Sequence, residues 1–295
     1  MKNNIPSVLV TGANGQLGSE LKLVAARYPS FHFIFVTRNE LAIDDHDAVQ
    51  KYFAGHDISY CINCAAYTAV DKAESDTANA FLINAEAAGN LAKACKEHQV
   101  QFIHISTDYV FDGNSTRPYK ETDLTNPLGV YGASKRKGEE LALQNDPSAI
   151  IIRTSWLYSS FGNNFVKTML RLMKERETLP AGRQGINVVN DQFGCPTYAA
   201  DLADAIMKII SSGIKKPGIY HYCNVGITTW YGFATAIKEL SNSNCKVNPV
   251  TTAGYPTPTK RPGYTAMDTS KIRETFSIAI PQWKESLSNC IGLLK

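Results

Sequence analysis

The amino-terminal half of the chain alternates short apolar runs with longer stretches of helical periodicity. The helical stretches include QLGSELKLVAARY, DDHDAVQKYFAG and residues 76–97, and the strand-like runs between them are SVLVTG, FHFIFVTR, ISYCINCAA and VQFIHIS. This alternation is typical of a parallel sheet whose two faces are both covered by helices. We therefore expect an α/β fold built on a doubly wound parallel sheet.

A glycine-rich turn joins the first strand-like run to the first helical stretch. In VLVTGANGQLGSEL the glycines are Gly12, Gly15 and Gly18, one position away from the spacing G-x-G-x-x-G. Glycines here allow a tight turn and a close approach of the backbone to a diphosphate held at the helix N-terminus. Because the triplet has the required strand, turn and helix context, it predicts a dinucleotide site.

The carboxyl-terminal half continues the pattern and then becomes less regular. SAIIIRTSW and GIYHYCNVG are strand-like, GNNFVKTMLRLMKERE and ADLADAIMKIISSG are helical, and NPVTTAGYPTPTKRPGYTA resembles loop. We predict a dinucleotide-binding domain of residues 1–155, to which residues 198–225 return. Residues 156–197 and 226–295 are predicted to form a smaller substrate-binding lobe.

Composition limits the possible functions. A formal net charge of +3 without a basic run interleaved with aromatics argues against nucleic-acid binding. We expect neither a membrane span, which needs about 18 consecutive apolar residues, nor a signal peptide. Seven scattered cysteines favour a cytoplasmic location, and the pair Cys61 and Cys64 lacks a second pair to complete a zinc site.

A tyrosine and a lysine are separated by three small residues in VYGASK. Residues four apart lie on one face of a helix, so Tyr131 and Lys135 are expected to reach one site. A cation near the phenol lowers the pKa of tyrosine from about 10 towards the range useful for proton transfer. This spacing is also common by chance on amphipathic helices, so the pair needs support from the rest of the chain.

The end of the second strand-like run bears on the choice of dinucleotide. An acidic residue at this point favours NAD, whereas an arginine accommodates the 2′-phosphate of NADP. The sequence FIFVTRNEL has Arg38 here, so NADP is expected and NAD stays possible.

The order of these motifs resembles that of the extended short-chain dehydrogenase/reductase superfamily. In that superfamily a serine or threonine, a tyrosine and a lysine share the proton-transfer site, and here Ser106-Thr107 at a strand end precedes Tyr131 and Lys135. The resemblance narrows to the dTDP-4-dehydrorhamnose reductase family over residues 7–285. The segments that carry it are NCAAYTAVDKAESD, ISTDYVFDG, NPLGVYGASKRKGEE, RTSWLY, GNNFVKTMLRL and NDQFGCPTY.

This resemblance implies a Rossmann-type domain, a small sugar-nucleotide lobe and reduction of the C4 ketone of a dTDP-sugar by NADPH. Tyr131 would be the general acid, Lys135 would bind ribose hydroxyls and tune it, and Thr107 would set the proton affinity of the site. Asp108, with Thr107, would lie beside the sugar, and Trp156 would pack on it. The remaining implied cofactor contacts are Gly15, Gln16 and Leu17 at the phosphates and Ala65, Ala66 and Tyr67 at the nicotinamide.

The chain departs from the family pattern at three places. Leu41-Ala42-Ile43 stands where relatives have Leu-Asp-Ile near the adenine, and Leu179–Gly185 is an apparent insertion. Some relatives join subunits through a metal held by glutamates. Glu20 matches one of these, but Ala200 and Leu293 replace the others, so we expect no metal and a monomer or weak homodimer.

Three alternative functions stay open at this stage. A sugar-nucleotide 4-epimerase or 4,6-dehydratase would keep the same motifs, and a regulatory subunit would bind dinucleotide without turnover. The threonine, tyrosine and lysine argue against the regulatory subunit. Tyr109 argues against the dehydratase, which has an Asp-Glu pair after the threonine where this chain reads Thr107-Asp108-Tyr109.

Overall fold

The computed structural model describes residues 5–180 and 185–294. Over these residues the strands, labelled β1 to β12 in chain order, are Ser7–Thr11, His32–Val36, Tyr60–Asn63, Gln101–Thr107, Ile150–Thr154, Leu157–Tyr158, Gly185–Val189, Phe193–Gly194, Thr197–Tyr198, Gly218–His221, Thr228–Thr229 and Lys246–Val250. The α-helices, α1 to α11, are Gln16–Ala25, His46–Gly55, Val70–Ala73, Thr77–Phe81, Ala87–Glu97, Val130–Asn145, Phe165–Glu177, Ala199–Ser212, Trp230–Ser241, Ser270–Phe276 and Trp283–Gly292. None of the described helices is long and apolar enough to cross a bilayer.

The central sheet has six strands in the order β10-β5-β4-β3-β1-β2, and every neighbouring pair is parallel. The predicted α/β fold with a doubly wound parallel sheet is therefore confirmed. Strand β2 lies on one side of β1 and β3 on the other. In such sheets ligands bind where the strand order reverses, outside the carboxyl ends of the strands, which here is the crevice beside β1 and β3.

Alternating side chains of the strands supply two separate apolar cores. In β1, Val8 and Val10 join the core beneath α1, α8 and α10, whereas Leu9 joins the core beneath α2, α5 and α6. Strand β4 divides in the same way, with Ile103 on the first face and Phe102 on the second. Burial on both faces explains why these strands read as continuous apolar runs.

A third apolar cluster lies outside the central sheet. It includes residues of α7, α9 and α11 and of the parallel pair β7 and β12. Phe233 contacts five aromatic rings within it, those of Trp156, Tyr158, Phe165, Trp230 and Trp283. The cluster contains residues from both segments that were assigned to the smaller lobe.

The helical stretch predicted over residues 76–97 contains a change of pitch. A π-helical turn, Leu82–Glu86, joins α4 to α5. Its Asn84 side chain accepts from Tyr67 N at 2.8 Å and donates to Tyr67 O at 3.0 Å and to Ser134 Oγ at 3.0 Å. These contacts to two other segments hold the wider turn in place.

The apparent insertion Leu179–Gly185 is described at its two ends. Helix α7 ends at Glu177, and β7 begins at Gly185. Residues 181–184 lie outside the described residues, so the structure gives no account of most of the insertion.

Candidate active site

A cleft of about 960 Å³ opens at the carboxyl ends of the central strands. Residues that follow or end β1, β2, β3, β4 and β5 all contribute to its wall. The predicted site residues that line it are Gly12, Gly15, Gln16, Leu17, Gly18, Arg38, Ala65, Ala66, Thr107, Asp108, Tyr131, Lys135 and Trp156. Among the predicted site residues only Tyr67 is absent from the lining.

The glycine turn leaves no room for side chains. Gly12 has a φ of +65°, and a Cβ there would lie 2.7 Å from the backbone nitrogen of Ala65. A Cβ on Gly18 would lie 2.5 Å from Gly12 O. Helix α1 begins directly after Gly15, with no side-chain cap and no acidic residue in its first turn. This N-terminus can therefore hold an anion with backbone N–H groups alone.

Gln16 links the glycine turn to the loop that follows β6. Its side-chain amide donates to Leu157 O at 3.4 Å and accepts from Asn164 Nδ2 at 2.9 Å. Gly162 of that loop lines the cleft, and a Cβ there would lie 3.0 Å from the Gln16 side chain. The loop is therefore held directly against the start of α1.

Arg38 lies at the end of the cleft formed by the residues after β2. Its guanidinium pairs with the carboxylate of Asp44 at 2.8 Å, and its side chain is 70% exposed. Asp44 also lines the cleft, as do Leu41 and Ile43. Asp44 was not identified from the sequence because only the turn after β2 brings it beside Arg38.

The segment after β3 forms the opposite wall. Ala65 and Ala66 face the cleft, and the phenol of Tyr67 turns away to donate to Asp76 Oδ2 at 3.0 Å. Asn84 bonds both backbone groups of Tyr67, as described for the π-helical turn. No sequence motif indicates this supporting residue, because its partners are distant in the chain.

Thr107 ends β4 at the floor of the cleft, and Asp108 follows it directly. The Thr107 hydroxyl donates to Asp108 Oδ1 at 3.1 Å and accepts from Tyr109 N at 3.3 Å. Asp108 Oδ2 is buried without a hydrogen-bond partner among the described residues. Burial raises the pKa of Asp108 to about 7, although hydrogen bonds from Thr265 and Thr107 oppose the rise.

Tyr131 and Lys135 lie on α6, as the spacing predicts, and both line the cleft. The expected effect of the lysine on the tyrosine is not observed. Burial raises the pKa of Tyr131, and a hydrogen bond with Thr107 opposes this rise. Lys135 Nζ instead donates to Ile105 O at 2.6 Å, and burial lowers the pKa of Lys135 to about 8.

A buried ion pair lies beneath these residues and joins α6 to β5. Arg153 donates to the two carboxylate oxygens of Glu139 at 2.9 and 2.7 Å, and both side chains are 3% exposed. Ser106 Oγ also donates to Glu139, at 2.5 Å. Glu139 therefore ties the helix that carries Tyr131 to β5 through Arg153, and to β4, the strand that carries Thr107, through Ser106.

Trp156 stacks on a second tryptophan. The rings of Trp156 and Trp230 lie 3.6 Å apart with an interplanar angle of 9°, and both residues line the cleft. A Cβ on Gly194 would lie 2.6 Å from the Trp156 indole, so this glycine gives the ring its space. Trp230, the first residue of α9, was not identified from the sequence, because only the fold brings it beside Trp156.

The residues considered for a metal contact are placed apart from the cleft. Glu20 is 2% exposed and accepts from Ser159 Oγ at 2.6 Å, while Leu293 is 65% exposed. Within residues 5–180 and 185–294 no group of three or more histidine, cysteine, aspartate or glutamate side chains is arranged to hold a metal.

Comparison with known proteins agrees with this architecture. The family model described as the RmlD substrate binding domain matches residues 6–295. The dTDP-4-dehydrorhamnose reductase of Aggregatibacter actinomycetemcomitans is 42% identical, over 96% of this chain and 97% of that protein.

Solved structures agree as well. That of a dTDP-4-dehydrorhamnose reductase from Clostridium acetobutylicum has a TM-score of 0.91 and 40% identity, covering 98% of this chain and 99% of the other. A reductase of the same name from Bacillus anthracis, in complex with NADP, has a TM-score of 0.91 and 37% identity, covering 97% and 98%. The chain therefore belongs to the dTDP-4-dehydrorhamnose reductase family.

Proposed function

We propose that the protein reduces the C4 ketone of dTDP-4-dehydro-L-rhamnose to dTDP-L-rhamnose with NADPH, and that Tyr131 donates the proton. The observation that carries the proposal is that one cleft brings Thr107, Tyr131 and Lys135 together with the glycine turn. The two solved relatives named above bear the name of this activity, and one of them is an NADP complex.

The residues at the glycine turn fit a dinucleotide. Side chains are excluded at Gly12 and Gly18, and the α1 N-terminus has no acidic residue that would repel a diphosphate. Gly15, Gln16 and Leu17 would hold the phosphates, and Ala65 and Ala66 would line the nicotinamide side. Arg38 would meet the 2′-phosphate, which makes NADP the first choice. When bound, the cofactor supplies a hydride.

The side chains at the floor of the cleft would handle the proton. Because the pKa of Tyr131 is raised, its phenol is protonated at neutral pH and can donate to the alkoxide that develops at C4. The Thr107 hydroxyl would then turn its one proton from Asp108 Oδ1 to the phenolate and stabilise it, since a hydrogen bond from Thr107 lowers the pKa of Tyr131. Lys135 would bind ribose hydroxyls from its position one turn along α6.

The sugar would lie between the floor and the aromatic wall. Asp108 would bind sugar hydroxyls, and the Trp156 ring, supported by Trp230, would pack on the deoxysugar. In this division residues 1–155 and 198–225 bind the dinucleotide, and residues 156–197 and 226–295 bind the sugar nucleotide. The protein would act as a monomer or weak homodimer.

Tyr109 distinguishes a reductase from a 4,6-dehydratase. Elimination of water needs an acid and a base beside the sugar, and burial raises the pKa of Tyr109, so it is a poor substitute for a carboxyl group. Simple reduction needs only the proton from Tyr131. We therefore expect no elimination from dTDP-glucose.

Two incubations followed by mass spectrometry test the proposal. With dTDP-4-dehydro-L-rhamnose and NADPH, we expect dTDP-L-rhamnose and one oxidised cofactor for each sugar reduced, while dTDP-glucose stays unchanged. Loss of water from dTDP-glucose without net cofactor oxidation would show a dehydratase. Dinucleotide binding without any turnover would show a regulatory subunit.

A further inference from the structure

A line of buried polar side chains crosses the sheet from β1 to Lys135. Thr11 Oγ1 donates to Asn63 Oδ1 at 2.7 Å, and Asn63 Nδ2 lies 3.0 Å from His104 Nδ1. His104 Nε2 in turn lies 3.3 Å from Lys135 Nζ. All four side chains are 2% exposed or less, and the family resemblance assigned no role to His104.

The orientation of the Asn63 amide is fixed by the backbone. Ala65 N donates to Asn63 Oδ1 at 3.2 Å, and only the oxygen of the amide can accept this hydrogen bond. The amide nitrogen must then face His104, to which it donates. His104 Nδ1 is therefore an acceptor and carries no proton.

This arrangement determines which histidine tautomer is present. Burial and the neighbouring Lys135 lower the pKa of His104 well below its ordinary value, so the ring is neutral. A neutral imidazole whose Nδ1 accepts a hydrogen bond carries its proton on Nε2. That N–H points at Lys135 Nζ.

We propose that His104 is a positioning residue for Lys135, and that the tautomer enforced by Asn63 favours the uncharged amine of Lys135. An ammonium group has no lone pair, so a charged Lys135 would set two donors against each other, whereas the neutral amine accepts the Nε2–H. Lys135 could then exchange a proton near neutral pH during the reaction. This last step rests on the role proposed for Lys135 in the cleft.

The other groups that face Lys135 act in the opposite direction. Glu139, on the same helix, and Cys64, after β3, both raise the pKa of Lys135, but burial exceeds their effect and lowers it to about 8. Glu139 is shared with Arg153 and Ser106, which limits its effect on the lysine. The Nε2–H of His104 adds to the effect of burial.

Nitrogen NMR of the unmodified protein tests the tautomer directly. With ¹⁵N-labelled histidine, the two tautomers give different pairs of ring nitrogen shifts, and the His104 signal is assigned by its loss in His104→Gln. We expect the Nε2–H form, unchanged between pH 6 and pH 8. The Nδ1–H form, or a charged ring, would overturn the proposal.

A variant that reverses the tautomer tests the effect on Lys135. In Asn63→Asp the carboxylate must accept from His104 Nδ1–H, so Nε2 becomes an acceptor for an ammonium group. We expect the pKa of Lys135, measured by NMR of ¹³C-labelled lysine, to rise by about one unit or more. Asn63→Asp/His104→Gln is the matched control, because it keeps the added carboxylate, which by itself favours the ammonium group, and removes the imidazole that would transmit the tautomer.

An unchanged pKa in a folded Asn63→Asp variant, or an equal rise in Asn63→Asp/His104→Gln, would overturn the proposal. If Asn63→Asp does not fold, the nitrogen shifts of the unmodified protein decide alone. Neither readout depends on turnover, so both results would stand if the proposed reaction were wrong.

Discussion

Arg38 and Asp44 form an ion pair of 2.8 Å at the end of the cleft where the adenosine ribose is expected. An arginine at this position accommodates a 2′-phosphate, but here the guanidinium of Arg38 is already paired with the Asp44 carboxylate. A phosphate that binds Arg38 must therefore compete with Asp44. We therefore expect both Arg38 and Asp44 to affect the preference between NADP and NAD.

Replacing Arg38 and replacing Asp44 should shift the preference between NADPH and NADH in opposite directions. We expect Arg38→Ser to lower the ratio of kcat/KM for NADPH to that for NADH by about tenfold, since a charge-assisted contact is lost. Asp44→Asn should raise the same ratio by releasing the guanidinium. Arg117→Ser is the control, because Arg117 pairs with Asp123 at 2.9 Å and does not line the cleft. Equal ratios in all three variants and the parent would contradict the role of Arg38.

Tyr131→Phe removes the hydroxyl that we propose as the proton donor and keeps the aromatic ring. We expect turnover to fall by about 10²-fold or more, the effect typical of losing a general acid, with cofactor affinity and Tm nearly unchanged. Tyr220→Phe is the matched control, since the Tyr220 hydroxyl donates to Lys216 O at 2.9 Å away from the cleft. Near-normal turnover of Tyr131→Phe in a steady-state assay would exclude Tyr131 as the acid.

The buried pair of Glu139 and Arg153 gives a prediction about stability. Glu139→Ala leaves a buried guanidinium without its carboxylate, which should lower the free energy of unfolding by about 3–5 kcal/mol in urea titrations. Arg171→Ala breaks the exposed pair with Glu175 and should cost less than about 0.5 kcal/mol. Similar losses in the two variants would show that burial of the first pair has no energetic effect.

Asp108 gives a prediction about pH. Burial raises its pKa in the folded protein from 3.8 to about 7, so the folded state holds this proton more tightly than the unfolded state. The stabilisation from Asp108 is therefore full below about pH 4 and is lost as the pH rises through about 7. In Asp108→Asn this loss should disappear, and the variant should gain up to about 4 kcal/mol relative to the parent between pH 4 and pH 8. A stability difference that does not change with pH would contradict the raised pKa.

Trp230→Ala tests the aromatic wall of the sugar pocket. Without the stacked ring at 3.6 Å, Trp156 loses its support, and we expect KM for the sugar nucleotide to rise by about tenfold while the NADPH Kd stays unchanged. Leu124→Ala is the control, since Leu124 is 91% exposed and does not line the cleft. An effect on NADPH binding alone would place Trp230 on the cofactor side instead.

The sequence carried most of the information about the central sheet. Buried parallel strands are apolar on both faces, so β1, β4 and β5 stood out as runs such as SVLVT and IIIRT. Local spacing also placed Tyr131 and Lys135 on one helix, because that relationship needs only neighbouring residues.

Relationships between distant segments could not be predicted. The π-helical turn depends on Asn84 meeting Tyr67 and Ser134, which lie in two other parts of the chain. The stacking of Trp156 on Trp230 likewise depends on how the smaller lobe packs. The raised pKa of Tyr131 follows from burial, which a sequence pattern does not report.

The distribution of cysteines in this fold provides a chemical probe of its opening. Six of the seven cysteines are buried, and the seventh, Cys64, lines the cleft, where burial of its thiol raises the pKa. A thiol reagent such as DTNB should therefore react slowly with the native protein, and each additional thiol that reacts marks the exposure of a particular part of the chain. The rate at Cys64 would report occupancy of the cleft, and the rates at the other six would report unfolding, without any introduced label.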